Sequence, residues 1–344
     1  VAARPARLRE IGLAIAAAVG FSLSVAYAAG APAAKPVHVD AASFLSQIQW
    51  AAEHRTYSGR FVHQEGDQIQ TSRIVHSAEP GGEVEKLEML DGRIREYVRH
   101  GDDVQGFIPD RKLIVVERRV RREKFPALLA APATDVNDHY RFEPGNPERV
   151  AGHLCDVAQL TPRDDLRFGY RLWVDRSSGL LLKVETLDAQ GTVLEQVAFT
   201  DIRIGGHIDP NQLKPSFSTT DGWHTEEHPT QPASFDGADW NLTVAPPGFR
   251  PILEVKRTFG NGREVGQIVL SDGLAAVSLF VESASGSTRT EGEASKGSTH
   301  IVTKSLGGTY WVTVVGEVPL KTVREIASQV ALRAPANEAG PARR

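Results

Sequence analysis

The 344-residue chain has a single cysteine, Cys155, and a single methionine, Met89. One cysteine excludes an intrachain disulfide, so stability must come from apolar cores. In His153-Leu154-Cys155-Asp156-Val157 the thiol alternates with polar neighbours, as in a strand, and reads as a buried, inert side chain. An excess of positive charge is also lacking. The chain carries 39 Lys and Arg against 43 Asp and Glu, a net charge of −4. Without residues 1–28 the balance is 36 to 42, or −6. A mildly acidic chain lacks the broad basic surface that general nucleic-acid binding needs.

Catalytic signatures are scarce too. There is no Gly-x-Ser-x-Gly elbow and no Ser-x-x-Lys pair. Carboxylates are numerous, but no two are spaced as an acid/base pair, which leaves a glycosidase open on this ground alone. His224-Thr225-Glu226-Glu227-His228 matches H-x-x-E-H literally. That spacing makes a zinc site only on a helix, and Pro229 turns His228 away from helical geometry. Gly260-x-Gly262-x-x-x-Gly266 has the wrong spacing for a phosphate loop and reads as a hairpin turn. The expectation is a protein that is not an enzyme, with no catalytic residue, metal or cofactor.

What is present begins with an export signal. Arg4, Arg7 and Arg9 form a basic region, Ile11 to Val25 an apolar one, and Ala26-Tyr27-Ala28 a small-x-small cleavage site. Residues 1–28 therefore read as a signal peptide, with an uncleaved anchor as the competing reading. Asp40 caps a predicted helix running to about Arg55, with Phe44, Leu45, Ile48, Ala51 and Ala52 on one face and Trp50 on the other.

From Tyr57 to Ile204 the pattern changes to period two. Strands are predicted at 57–64, 68–77, 83–90, 93–99, 103–108 and 112–117, then at 139–143, 148–151, 154–161, 167–175, 180–188 and 193–204. Asp91-Gly92, Gly101-Asp102 and Pro109-Asp110 punctuate them. Short connections favour an antiparallel meander, and Phe125 to Ala131 reads as a short helix. Residues 218–239 lose the period and read as a linker. A second domain follows over 240–332. It has strands at 253–259 and 264–270 around Asn261-Gly262, further strands at 274–282, 298–305 and 309–315, and a closing helix bearing Leu320, Val323, Ile326, Ala327 and Val330. Residues 333–344 read as a disordered tail. The fold class is mainly β (α+β).

Several stretches together resemble the MucB/RseB family. In the first domain they are Leu90 to Glu96, Arg149 to Cys155, Tyr170 to Asp175 and Leu187 to Gln196. In the second they are Ser271-Asp272-Gly273-Leu274 and Val315-Gly316-Glu317-Val318-Pro319. The resemblance implies a lipoprotein-carrier-like, half-open antiparallel barrel with helices over 38–217 and a smaller antiparallel sheet with packed helices over 240–332. It also implies a periplasmic negative regulator of a sigma-E-type factor. Such a regulator binds the periplasmic part of a transmembrane anti-sigma factor, shields it from regulated proteolysis, and is released by lipopolysaccharide or mislocalised lipid. A periplasmic lipid or lipoprotein carrier is the alternative. The concave face of the first domain would take acyl chains through residues drawn from Leu87, Met89, Phe107, Leu172, Val174 and Leu182. On charge alone, the run holding Arg118, Arg119, Arg121 and Arg122 would meet lipid phosphates. Tyr310 and Trp311 are the expected aromatic anchors for the partner. The oligomeric state, self-association included, is open.

Overall fold

The structure, a computed structural model, describes residues 40–79, 82–118, 136–217, 219–259, 262–285 and 289–333. Helix α1 (Ala41–His54) starts where Asp40 accepts a hydrogen bond from the Ser43 N–H at 2.7 Å. That bond holds the Asp40 carboxyl below the usual carboxylate range. Six strands follow as a meander: β1 (Tyr57–Glu65), β2 (Gln68–Ser77), β3 (Val84–Met89), β4 (Glu96–His100), β5 (Asp103–Ile108) and β6 (Leu113–Arg118). After one helical turn, α2 (Val136–His139), come β7 (Tyr140–Pro144), β8 (Glu148–Val150), β9 (His153–Pro162), β10 (Gly169–Asp175), β11 (Leu181–Leu187) and β12 (Val193–Ile204).

The two runs join through an antiparallel β1–β12 pairing into one sheet, ordered β6-β5-β4-β3-β2-β1-β12-β11-β10-β9-β7, with β8 paired to β9. Among the described residues its two edges do not pair with each other, so the sheet is half open and not a closed barrel. The turn chemistry is as the residue types require. His100 faces Asp103 across the two-residue Gly101-Asp102 turn. Val150 faces His153 across Ala151-Gly152, where both central residues have positive φ, +49° at Ala151 and +84° at Gly152. That is the twist a two-residue hairpin favours, and Ala151 adopts it at a steric cost.

Within the linker expected over 218–239, eight residues form two short strands. Residues His224–His228 form β13, which pairs in parallel with β6 and extends the large sheet by one strand. A parallel partner is feasible because a long connection separates the two in sequence. Residues Thr230–Pro232 form β14, the edge of a second sheet. After β15 (Trp240–Leu242), which lies outside it, that sheet continues through β16 (Arg250–Thr258), β17 (Glu264–Ser271), β18 (Ala276–Ser283), β19 (Gly292–Lys296), β20 (Thr299–Leu306) and β21 (Tyr310–Gly316). Its order is β14-β16-β17-β18-β21-β20-β19. Helix α3 (Leu320–Ser328) lays Val323, Ile326 and Ala327 on Val277, Leu279, Val312 and Val314, and β22 (Val330–Leu332) pairs with β15. The helix expected at 125–131 lies outside the described residues.

Candidate binding surfaces and the junctions between the sheets

One face of the large sheet is packed under α1. Phe44, Leu45 and Ile48 cluster with Leu160, Tyr170, Leu172, Val174, Leu181 and Val184, all buried. Farther along, Ala51 joins Tyr57, Phe61, Ile74, Leu182 and Phe199. The void left between α1 and the sheet, lined by Ile48, Ala52, Tyr57, Leu180 and Phe199 among others, is about 10 Å³, room for a single water at most. Leu172, Val174 and Leu182, expected as acyl-chain contacts, are therefore core residues in this arrangement. Leu87 and Met89 share the α1 side of the sheet but lie beyond the helix, half-buried.

Phe107 does not belong with them. Leu87 sits opposite Tyr97, and Tyr97 opposite Gly106, whereas Phe107 sits opposite Glu96 and Glu96 opposite Glu88. A side-chain period of two thus puts Phe107 on the other face. There it is buried beneath Phe217, ring to ring at 6.0 Å, and Phe217 meets Trp223 at 5.2 Å. The segment crossing this face is pinned by Ser216, whose N–H donates to Glu96 at 2.8 Å and whose hydroxyl meets Lys86 and Glu88 at 2.8 and 3.0 Å. Of the basic run, Arg118 ends β6, and its side chain, with Arg119, Arg121 and Arg122, lies outside the described residues.

Tyr310 and Trp311 are neighbours in β21 and so point to opposite faces. Tyr310 packs on the core that α3 covers, with its hydroxyl donating to Asp239 at 3.3 Å. Trp311 is on the outer face but only 9% exposed, between Glu282 and Ser305 on the neighbouring strands. The two do not make a joint anchor. Phe280, Val269, Val315 and Ile301 lie half-buried on the same outer face as Trp311.

The H-x-x-E-H stretch is strand β13, with the His228 ring against Phe259 at 5.4 Å and its Nδ1 3.6 Å from Glu117. Among the described residues no group of three or more His, Cys, Asp or Glu could hold a metal. Cys155 is buried, and burial pushes its thiol up to about 11, which keeps it protonated and unreactive.

Two junctions tie the sheets together. At the first, Arg167 reaches from the loop before β10 with a fully buried guanidinium. It lies 3.2 Å from Asp272 in the turn after β17, and donates to the Pro247 carbonyl at 2.6 Å and to Asp164 at 3.1 Å. Phe249 and Tyr140 flank the cation at 5.1 and 5.8 Å. Asp272 accepts from the Tyr140 hydroxyl at 3.0 Å and from the N–H groups of Leu274 and Ala275. Burial, and then the Asp272 charge, push the Tyr140 phenol well up. Alongside, the Thr322 hydroxyl of α3 donates to the Leu166 carbonyl at 2.6 Å. Sequence reading picked out the Ser271-Asp272-Gly273-Leu274 stretch but not this role. An arginine and an aspartate distant in the chain leave no local pattern to reveal their pairing.

At the second junction His63, Glu65 and Glu195 of the large sheet meet Lys296 and Ser298 of the small one. His63 Nε2 lies 2.6 Å from Glu195. Ser298 hydrogen-bonds the other Glu195 oxygen, and Lys296 pairs with Glu65.

These features define a binding scaffold: a half-open sheet filled on one side by a helix, a smaller sheet with one face open, and charged junctions between them. The chain belongs to the MucB/RseB family. The pattern of the MucB/RseB N-terminal domain matches residues 40–217, and that of the C-terminal domain matches 234–331. The sigma factor AlgU regulatory protein MucB of Pseudomonas aeruginosa is 31% identical over 302 residues, 85% of this chain and 90% of that protein. The sigma-E factor regulatory protein RseB of Escherichia coli K12 is 24% identical over 332 residues, 94% of this chain and 98% of that protein. A crystal structure of MucB in complex with MucA(peri) superimposes with a TM-score of 0.65 at 28% identity, covering 86% of this chain and 100% of that one.

Proposed function

We propose that the protein is a periplasmic negative regulator of sigma-E-type signalling. In this reading it binds the periplasmic part of a transmembrane anti-sigma factor, shields it from regulated proteolysis, and lets go when lipopolysaccharide or mislocalised lipid competes. The observation that carries the proposal is likeness over both sheets to MucB, a protein solved as a complex with MucA(peri). Export through residues 1–28 and residence in the periplasm belong to the same proposal.

The outer face of the small sheet is the docking surface we favour. Phe280, Val269, Val315 and Ile301 offer apolar contacts around Trp311, ringed by polar side chains. An interface core of this composition suits an extended apolar segment. For lipid, Leu87 and Met89 remain on the half-open face, and the basic run from Arg118 to Arg122 would meet phosphates. A plain carrier is favoured less, because α1 fills the face where a carrier would need its cavity. Release by lipid is then linkage: lipid must favour a state that holds the anti-sigma segment poorly.

The test is a pull-down with the periplasmic segment of a candidate anti-sigma factor, with and without lipopolysaccharide. Capture that lipopolysaccharide abolishes, and that Phe280→Glu weakens at least tenfold, supports the reading. Folded protein that captures lipid but no anti-sigma segment sinks it.

A further inference from the structure

Leu90 and Ile94 belong to the Leu90 to Glu96 stretch that stands out in the sequence, yet the fold buries neither. Their place follows from register. Strands β1 to β6 form an antiparallel meander, so the β1–β2, β3–β4 and β5–β6 turns return to one end of the large sheet. At that end Leu90 continues the Ser72–Met89 pairing, and its N–H donates to the Thr71 carbonyl at 2.9 Å. Ile94 continues the Glu88–Glu96 pairing, because the Met89 N–H donates to the Arg95 carbonyl at 3.0 Å. Ile69 shares a face with Thr71 and Arg73 by period two. The three residues thus form one row across β2, β3 and β4, on the face of Glu88 and Phe107, away from α1.

Ile69, Leu90 and Ile94 are 63%, 47% and 60% exposed. A single exposed aliphatic side chain is ordinary. Three in one row, of the eight large apolar side chains exposed among the described residues, make a patch. The patch is braced from both sides. Asp91 accepts from the Thr71 N–H at 2.6 Å, which folds the β3–β4 turn onto β2. Asp110 accepts from Arg93 at 3.3 Å and from Arg95 at 3.2 Å, which holds the β5–β6 turn alongside.

Charge here runs against the rest of the chain. The three turns carry Arg93, Arg95, Arg111 and Lys112 against Asp67, Asp91 and Asp110, whereas the whole chain has a net charge of −4. Asp91 and Asp110 are engaged within the turns. Arg93 is still 77% exposed, and Arg111, Lys112 and Asp67 are exposed as well. Behind the row, Arg73 and Lys86 balance Glu88 and Glu96.

We propose that this end of the large sheet docks on an anionic lipid surface, with Ile69, Leu90 and Ile94 entering the acyl boundary and Arg93, Arg111 and Lys112 meeting headgroup phosphates. The occupant follows from shape and charge. Side chains that project from turns and strand ends offer a rigid protein partner little complementary packing, but a fluid acyl layer closes around them. Anionic headgroups answer the excess of cations, and Arg and Lys stems are long enough to reach back to them. This surface belongs to the large sheet, whereas the anti-sigma segment was placed on the small one, so the two readings stand or fall separately.

Because Cys155 is buried, a dye can be directed to one introduced thiol. Full-length chains carrying Ile94→Cys, or Ser177→Cys in the β10–β11 turn at the opposite end of the sheet, are labelled with an environment-sensitive fluorophore. Vesicles of phosphatidylethanolamine and phosphatidylglycerol should brighten and blue-shift the dye at position 94 and leave that at 177 unchanged. Adding Leu90→Glu, or Arg111→Glu with Lys112→Glu, should raise the lipid needed for half the response about tenfold, and phosphatidylcholine vesicles should need at least about as much more. The Leu90→Glu chain should still capture the anti-sigma segment. No response at 94 to the anionic vesicles, equal responses at 94 and 177, or an undiminished response with Leu90→Glu overturns the docking. So does a blue shift at 94 that needs no lipid and grows with protein concentration, which would put a second copy on the row, or one that only the anti-sigma segment elicits.

Discussion

The two junctions between the sheets use the same chemistry in opposite ways. At Arg167 and Asp272 the charges are fully buried and lie 3.2 Å apart. At His63, Glu195 and Ser298 the charges lie nearer solvent, and the hydrogen bond to Glu195 holds His63 above its usual range. The first is a fixed fastening. The second is partly open to water, which screens it. A two-sheet binding protein can thus bury one contact completely and leave the other where solvent reaches it.

Removing one charge from the fixed junction should show the largest effect. Asp272→Ala strands the buried Arg167 and is expected to cost about 3–5 kcal/mol in urea denaturation. A loss no larger than that of an exposed pair, under about 1 kcal/mol, would erase the distinction between the junctions. Ser298→Ala removes a buried donor to a carboxylate and should cost about 1.5–3 kcal/mol in the same measurement. Away from both junctions, Ala151→Asn suits the positive φ of its hairpin and should gain about 0.5–1 kcal/mol. The gain should appear as a raised melting temperature that does not vary with pH. Smallest of all, Cys155 should take up essentially no thiol reagent at about pH 8 in folded protein, and react fully once denatured. Rapid native labelling would show that the large sheet opens near Cys155.

Much of the fold was legible because burial on one side of a strand writes period two into the sequence. Every strand predicted from Tyr57 to Ile204 is present, shifted by three residues at most, and so is α1. Three of the unread strands bury little. His224–His228 and Thr230–Pro232 lie at sheet edges and are held by backbone pairing, and all five residues of Gly292–Lys296 are exposed. Such strands carry no apolar alternation to read. The candidate surfaces were less legible for a related reason. Alternation shows that Phe107 is buried, but not that the face burying it is opposite Leu87; only the register across β3, β4 and β5 shows that. Likewise, Tyr310 and Trp311 look like a pair in sequence and part company in a strand. The junctions were invisible, because partners such as Arg167 and Asp272 meet only once both sheets exist.

Pro229 lies between β13 and β14, and so between the two sheets. His228 is paired to Glu117 on one side, and the Pro229 carbonyl accepts from Thr258 on the other. The ring fixes the proline's φ. Along this route, rotation of one sheet against the other is confined to a single free torsion, about the bond from Cα to the carbonyl carbon of His228. A door hung on one pin swings in one plane and returns to the same jamb. A substitution that freed this torsion further, Pro229→Gly for example, would leave every contact described above chemically intact and still cost the molecule its aim.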